Sequence, residues 1–600
     1  MVKRSLAALA AGTMLLSPIG TVPAQAGAGG TSRPAPAQRP NIILIVLDDV
    51  GFSDLGAFGS EIHTPNIDAL ARDGLRYNRF DSKAVCTATR AALLTGRNNQ
   101  TVRMADLPAE RPDPANMTKD RDELPGNAQT LAQALRAAGY ATHAIGKWHL
   151  APEFEDGTPG KNASWPLQRG FDDYYGFISG WTDQYHPALI QGNQPLPKPN
   201  RPGYHLSEDL IDHAIASLSD TTRPNFVYLA LGAAHAPIQV PTAWSDHYAG
   251  VYEKGWDAIR RERFERLKAN GLIPSNTVLP PANPGDRAWA SLTDDEKLVF
   301  ARFMAVYAGF IEHADAQIGR LVAALKRNGQ YDNTLIVLLS DNGAASEAGQ
   351  TGSFEGMYKR NQPSIAEMKA RLSELGTDKT EAEYQRPWAM AGVSPFRRYK
   401  VWPYLGGVRT PLIISWPKVI HDGGAIRHHY VDTVDIAPML LDAAATRFAA
   451  RIDGVRQIPV AGHSFRASLA SGAARETRTV QFFELRGNRA ITSGNWRAVA
   501  MHRTGSDFAT DPWELFDLSK DPAEAHDLSR EMPKKLAGMQ ALWWREARKY
   551  SNPPLGEAAA RFQQRAPLQD AFPKEKNCPP LPAMDLLGPP RAPDGSSRSC

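Results

Sequence analysis

Two carboxylates stand side by side at Asp48-Asp49, and a carboxylate and a carboxamide stand side by side at Asp341-Asn342. Adjacent like charges repel unless a cation or a basic group compensates them. Either dipeptide alone would suit a helix cap or a turn. Together they offer four oxygen-bearing side chains and no extra sulfur, the donor set of a hard divalent ion such as calcium or magnesium. A nucleophile candidate stands at Cys86, in Val85-Cys-Thr-Ala-Thr-Arg90 ahead of a helical stretch at 91–95 closed by Gly96-Arg97. A cysteine at a helix start lies in the positive end of the macrodipole, which favours anions and reactive groups, although a buried structural thiol fits the same spacing. Gly146-Lys-Trp-His149 puts a cation and an imidazole on alternate positions, which an extended segment would turn to one side. His235-Ala-Pro237, and Lys400 ahead of Gly406-Gly407, complete the set; neither is informative alone.

Four apolar, strand-like runs must position these residues. Residues 41–47 lead into Asp48-Asp49, residues 334–340 into Asp341-Asn342, residues 225–231 towards His235, and residues 141–145 into Lys147 and His149. Continuous apolar, β-branched runs suit strands buried on both faces, as in a parallel sheet. Ligands of open α/β sheets lie beyond the carboxyl ends of the strands, so four such ends describe one site drawn from distant stretches. Helical patterns lie between the runs, at 130–138 before Gly139 and at 300–326. Residues 191–205 and 270–287 read as Pro- and Gly-rich loops, and 345–400 as a long excursion over the active face. Strand-like pieces at 479–483, 495–500 and 513–518, followed by a helical stretch at 532–549, predict a smaller C-terminal domain with an antiparallel sheet and one helix. The expected organisation is a catalytic domain over 40–455, a small domain over 456–550 and a Pro-rich tail over 551–600.

Composition bounds the class. The 600 residues are 42% hydrophobic and 22% charged, enough for a sizeable core and incompatible with overall disorder. With 68 Lys+Arg against 64 Asp+Glu, the net charge of +4 gives no sign of a nucleic-acid partner. Three cysteines exclude a disulfide scaffold and a multi-cysteine zinc module, although Cys578 and Cys600 could pair in an oxidising compartment. Residues 1–26 read as a secretory signal: Lys3 and Arg4, an apolar stretch at 6–16, then Ala24-Gln-Ala26 as the cleavage pattern. A flexible leader at 27–39 follows. The apolar stretch is shorter than the roughly 18 residues a membrane span needs, and no later one is long enough. Export to the periplasm or beyond is the expectation.

These residues carry a resemblance. Pro40-Asn-Ile-Ile-Leu-Ile-Val-Leu-Asp-Asp-Val-Gly-Phe-Ser-Asp-Leu-Gly56, with Thr64-Pro-Asn-Ile-Asp68, resembles the opening of the sulfatase family. Cys86-Thr-Ala-Thr-Arg-Ala-Ala-Leu-Leu-Thr-Gly-Arg97 is similar to its signature, Cys-x-Pro-x-Arg followed by Leu-Thr-Gly. Gly146-Lys-Trp-His-Leu150, His235-Ala-Pro237, Ser340-Asp-Asn-Gly343, Gly406-Gly-Val-Arg-Thr-Pro411 and Trp513-Glu-Leu-Phe-Asp-Leu518 with Asp521-Pro522 match in the family's order. The resemblance covers about 40 to 550 and looks most like the bacterial arylsulfatase subgroup.

The resemblance implies an α/β, alkaline-phosphatase-like fold: a large mixed sheet sandwiched by helices, plus a smaller C-terminal domain with an antiparallel sheet and a helix. It implies a sulfuric ester hydrolase that cleaves aryl or alkyl sulfates to alcohol and inorganic sulfate. Cys86 would be oxidised to formylglycine, whose hydrate is a gem-diol. Asp48, Asp49, Asp341 and Asn342, with the modified Cys86, would bind one calcium ion (magnesium is the other candidate). Arg90 would steady the hydrated residue, while Lys147, His149, His235 and Lys400 would surround the sulfate and the leaving oxygen. Asp341 would accept the attacking hydroxyl's proton, His235 or Lys400 would protonate the leaving oxygen, and His149 would take the proton released as sulfate departs. The partners implied are a small-molecule or saccharide sulfate ester and a formylglycine-generating maturation enzyme. Two departures stand out: Ala88 replaces the signature proline, and Leu405 replaces the acidic residue usual before the paired glycines. A phosphonate or phosphodiester hydrolase of the same superfamily, and an exported protein that binds sulfate esters with Cys86 unmodified, are the competing readings. Trp165, Tyr174, Tyr175, Trp181 and Tyr185 are candidates to stack on a ring of the substrate, with ordinary packing as the alternative.

Overall fold

The structure is a computed structural model that describes residues 39–108, 123–152, 162–356, 359, 361–502 and 506–550. The secretory segment 1–26, all but the last residue of the leader, and the tail with Cys578 and Cys600 lie outside the described residues.

The apolar runs form the centre of one sheet. Among the described residues ten strands pair in the order Ile426–Arg427, Leu75–Tyr77, Leu412–Ser415, Thr334–Ser340, Asn41–Leu47, Asn225–Ala230, Ala141–Lys147, Asp173–Phe177, Ile190–Gln191, Gln194–Pro195. The five from Thr334–Ser340 to Asp173–Phe177 are parallel; Leu412–Ser415 and the pieces at the far edge run antiparallel. Side chains alternate between two cores, which is why the central runs are apolar on both faces. Ile43, Ile45, Val227, Leu229, Ile336 and Leu338 join the helices Pro65–Asp73, Leu206–Ser217 and Asp294–Arg327. Ile42, Leu44, Val46, Tyr228, Val337 and Leu339 face Cys86–Thr95, Leu131–Ala137 and Thr433–Ala443.

Helix ends follow their caps. Thr130 and Gln133 form a capping box on Leu131–Ala137, and Gly139 turns the chain at φ 91°. The long helix begins at Asp294 rather than at residue 300, because Thr293 and Glu296 cap it ahead of its first apolar residue. The 345–400 excursion holds the helices Ile365–Ala370 and Arg386–Gly392 and two isolated bridges, Ser353 with Glu383 and Glu355 with Glu381.

The smaller C-terminal domain is a four-stranded antiparallel sheet, Val480–Leu485, Asn488–Ser493, Trp496–Ala500 and Trp513–Asp517, with the helix Pro533–Tyr550. Phe482, Ile491, Ala498 and Leu515 pack on Met539, Trp543 and Ala547 of that helix. The opposite face, with Phe483, Leu485, Ala490, Val499 and Phe516, is continuous with the main core. Strand Asn488–Ser493 escapes a reading by apolar runs because it opens on buried Asn488 and Arg489, the latter neutralised by Asp511. No helix of the described residues is long and apolar enough to cross a membrane.

Candidate active site

Strand register brings the carboxylates together. Leu47 lies opposite Ser340 in the parallel pair, so the chain leaves both strands into Asp48-Asp49 and Asp341-Asn342 side by side, tied by Asp341 N–H donating to the Leu47 carbonyl at 3.1 Å. Asp48 exchanges backbone bonds with Ala233 and Ala234, which delivers the His235 turn to the same edge. Asp49 adopts φ 59°, and Gly343 admits the Gly406 carbonyl where a Cβ would stand 1.9 Å away. That close approach seats the Gly406-Gly407 segment on the Asp341-Asn342 turn.

All the charged candidates converge here. Lys147 Nζ donates to Asp48 Oδ2 at 2.6 Å, and Lys400 Nζ to Asp49 Oδ2 at 2.9 Å. Asn342 Nδ2 donates to Asp49 Oδ1 at 2.6 Å. Arg90 reaches Asp341 Oδ2 through Nη2 at 2.7 Å and Nε at 3.0 Å, and lies 3.8 Å from Asp48. Cys86, first residue of the fully buried helix Cys86–Thr95, has its Sγ 3.2 Å from His149 Nδ1. His235 Nε2 lies 3.5 Å from Asp49 and 3.3 Å from Lys400 Nζ.

The 146–149 segment is not extended throughout. Lys147 ends the strand Ala141–Lys147, and His149 turns inward at φ 54°, its ring filling the space that Gly180 leaves open, where a Cβ would stand 2.7 Å from Cε1. The Lys400 loop is strained: Arg398 and Val401 hold φ 60° and 80°. Such conformations cost on the order of 1–3 kcal/mol each and persist only where surrounding contacts over-determine them.

Burial and charge set the protonation pattern. Burial first, then the Asp341 and Asp49 charges, push the Asp48 carboxyl up to about 8 against Lys147 and Arg90. Burial acts on Asp49 too, yet Lys400, His235 and Lys147 hold it down to about 2. Burial raises the Cys86 thiol to about 11, with partial relief from Lys147 and Lys400, so an unmodified thiol here is a poor nucleophile at neutral pH. Burial, then neighbouring cations, keeps His149 well below the usual imidazole range; burial lowers His235 to about 3, with Lys400 and Lys147 adding to it against Asp49. Burial opposes the Lys400 charge, but Asp49 and Glu347 hold its pKa well above the usual value.

The residues fit a hard cation. Asp48 Oδ1 and Asn342 Oδ1 are buried acceptors without a hydrogen-bond partner, and a carboxyl held near 8 marks a cluster short of positive charge. Ligand atoms of Asp48, Asp49 and His235 lie within 4.8 Å of one another. The Asp341 carboxylate is engaged by Arg90, and its Oδ1 accepts from Asp49 N–H at 3.3 Å.

Three participants carry no sequence signal of their own. Glu347, in the excursion, pairs with Lys400 at 3.0 Å. Thr89 Oγ1 donates to the Asp341 carbonyl at 2.5 Å and accepts from Lys83 N–H at 2.8 Å. Tyr307, midway along the long helix, donates to Asp54 at 2.9 Å and lies 3.2 Å from the Asp49 carbonyl. Of the aromatic candidates, Trp165, Tyr174 and Tyr175 are core residues; Tyr175 stacks on His213 and donates to Asp209. Trp181 and Tyr185 are half-buried.

Comparison with known proteins follows the same outline. Residues 40–446 match the family model described as Sulfatase, and residues 399–543 the model described as N-sulphoglucosamine sulphohydrolase, C-terminal. An arylsulfatase of Klebsiella aerogenes is 32% identical over 436 residues, 69% of this chain and 89% of that protein. An uncharacterized sulfatase of Schizosaccharomyces pombe is 30% identical over 555 residues, 85% of this chain and 94% of that protein. Among solved structures, Ps i-CgsB in complex with k-i-k-neocarrahexaose superposes with a TM-score of 0.61 at 24% identity, covering 90% of this chain and 98% of that one. A structure in complex with its substrate D-Glucosamine-2-N, 6-O-disulfate gives 0.57 at 21%, covering 87% and 100%.

Proposed function

Because the chain belongs to the sulfatase family and is a sulfuric ester hydrolase, we propose that it cleaves aryl or alkyl sulfate esters, sugar sulfates included, through formylglycine at position 86 and one bound calcium ion. The observation that carries this reading is the position of Cys86 at the start of a buried helix, 3.2 Å from His149 and within the electrostatic reach of Lys147, Lys400, Asp341 and Asp48, in a cluster where Asp48 Oδ1 and Asn342 Oδ1 are unpartnered. Asp48, Asp49, Asp341 and Asn342, with residue 86, would hold the calcium ion, which would supply positive charge to offset that of the sulfuryl group. As a hydrated aldehyde, residue 86 would supply two hydroxyls on one carbon, one to displace the alcohol at sulfur and one to release sulfate.

The chain's own groups do the rest. Lys147 and Lys400, anchored on Asp48 and Asp49, offset the charge that gathers on sulfuryl oxygens as the ester bond breaks. Arg90, with two N–H groups on Asp341, fixes that carboxylate beside residue 86, where it accepts the attacking hydroxyl's proton. Lys400 holds its proton beside a neutral His235, and this pair is assigned to the leaving oxygen. His149, neutral and adjacent to residue 86, takes the proton given up as sulfate leaves.

Lys147→Ala is expected to lower kcat/KM by about 10²–10³-fold, the usual loss of one pre-positioned donor to developing negative charge. An unchanged kcat/KM removes Lys147 from the site. The deciding measurement is the mass of the peptide containing Cys86 from natively expressed protein: conversion of thiol to aldehyde lowers it by about 18 Da. Intact thiol alone would favour the binding-protein reading. Parallel assays on 4-nitrophenyl sulfate and on phosphonate and phosphodiester esters separate the other alternative, and a strong kcat/KM preference for phosphorus would overturn ours. The catalytic domain is read as 40–455 and the small domain as 456–550, with export directed by residues 1–26 and maturation by a formylglycine-generating enzyme that tolerates Ala88.

A further inference from the structure

The loop that carries Lys400 is strapped from both sides by the C-terminal domain. Ahead of the lysine, Arg397 pairs with Glu514 at 3.3 Å and donates to the Glu524 carbonyl at 3.1 Å. Beyond it, the Arg497 guanidinium donates to the Pro403 carbonyl, Tyr404 O–H to Glu514, and Leu405 N–H to Glu524 Oε2 at 2.9 Å. Arg497 and Glu524 are themselves paired at 2.9 Å, and neither side chain is exposed to solvent. Leu405, which opens the Gly406-Gly407 segment, has no carboxylate of its own; Glu524, 119 residues away, supplies one to its amide. Loops of the catalytic domain hold the lysine itself and its neighbours: Lys400 N–H donates to the Ala344 carbonyl at 3.1 Å, Val401 N–H to the Ala84 carbonyl at 2.7 Å and Arg398 N–H to Asn283 Oδ1 at 3.0 Å, while Lys400 Nζ is tied to Asp49 and Glu347.

Two left-handed, non-glycine residues flank Lys400, so the loop is not in its own preferred conformation. Contacts at 397 and at 403–405 bracket the lysine. We propose that Arg497, Glu514 and Glu524 are positioning residues, through which the C-terminal domain sets the placement of the Lys400 ammonium towards the leaving oxygen. The proposal rests on the reading of Lys400 as the cation on the leaving-group side. Released from the strap, Lys400 keeps its charge and its tie to Asp49 but loses the placement a departing alkoxide needs. Misplacement of this kind acts on kcat more than on KM, and hardest on esters of weakly acidic alcohols, which depend most on proton donation.

The test is kcat and KM for 4-nitrophenyl sulfate and phenyl sulfate with full-length Glu514→Gln, Glu524→Gln and Lys400→Ala, each with its formylglycine and calcium content measured. We expect Lys400→Ala to lose about tenfold more activity on phenyl sulfate than on 4-nitrophenyl sulfate, and both glutamine variants to follow in the same direction with KM nearly constant. Added to Lys400→Ala, neither should widen the ratio further. Equal losses on both substrates in folded Glu514→Gln and Glu524→Gln, beside a widened ratio in Lys400→Ala, overturn the positioning role and leave the Lys400 reading intact. An unaltered ratio in Lys400→Ala overturns the reading of the lysine and the proposal with it. If loss of the buried Glu524 charge prevents folding, Glu514→Gln carries the test, since Glu514 is only half-buried.

Discussion

Cys86→Ala abolishes turnover and leaves the fold standing. The side chain is first in its helix, so its replacement keeps the Cβ and every backbone hydrogen bond of Cys86–Thr95. What is lost is the small group on Cβ beside His149, the thiol or the oxygens that replace it on maturation, a change on the order of 1 kcal/mol in a core this well packed. The activity loss is of another scale. Removing a covalent nucleophile costs on the order of 10⁵–10⁶-fold in kcat, leaving only what charge placement and binding supply. Turnover of 4-nitrophenyl sulfate, read beside circular dichroism and thermal unfolding, checks both halves. A folded variant with a tenth of wild-type kcat would remove Cys86 from the chemistry altogether.

Asp341→Ala loses calcium and activity together. Its carboxylate is one of the proposed calcium ligands and is also the buried counter-charge of Arg90. Deleting it leaves a buried guanidinium with Asp48 alone at 3.8 Å, so a stability loss of about 3–5 kcal/mol accompanies the functional one. Asp341→Asn keeps the shape and a hydrogen-bond acceptor for Arg90 and separates the two effects. We expect both variants to purify with far less calcium than the parent, with kcat/KM down by about 10³-fold or more. Elemental analysis for bound calcium and a kcat/KM measurement with added calcium decide the matter. Stoichiometric calcium with full activity would show that the site had been misassigned. Chelation of the parent protein should produce the same loss, reversed by calcium.

The parts of the molecule that were legible share a physical cause. Residues 42–47 and 335–339 are apolar throughout because each run is covered by helices on both faces. A burst of carboxylates and carboxamide at the end of such a run has no place in the core and so advertises itself. Helix Leu131–Ala137 was legible through its amphipathic spacing and Gly139, and Asp294–Arg327 except for its first six residues. Strand Asn488–Ser493 was not, because its polar opening is satisfied by partners elsewhere in the chain. The inward turn of His149 was not either: a left-handed, non-glycine backbone is imposed by surrounding packing and leaves no mark in local spacing.

By itself, then, the order of residues determined the chemistry on offer: which side chains donate oxygen, which carry a cation, where a nucleophile could stand, and which family this resembles. Side-chain chemistry and burial periodicity are local properties, and a linear chain displays them directly. Only the tertiary structure decided which oxygens remain unpartnered, that Arg90 claims Asp341, that Glu347 reaches Lys400, and that Glu514 and Glu524, more than a hundred residues downstream, bond to the loop around Lys400. Those facts depend on strand register and on contacts across separations such as the 351 residues between Asp49 and Lys400. Distances of that kind arise from the packing of the whole chain, and no short stretch of it contains them.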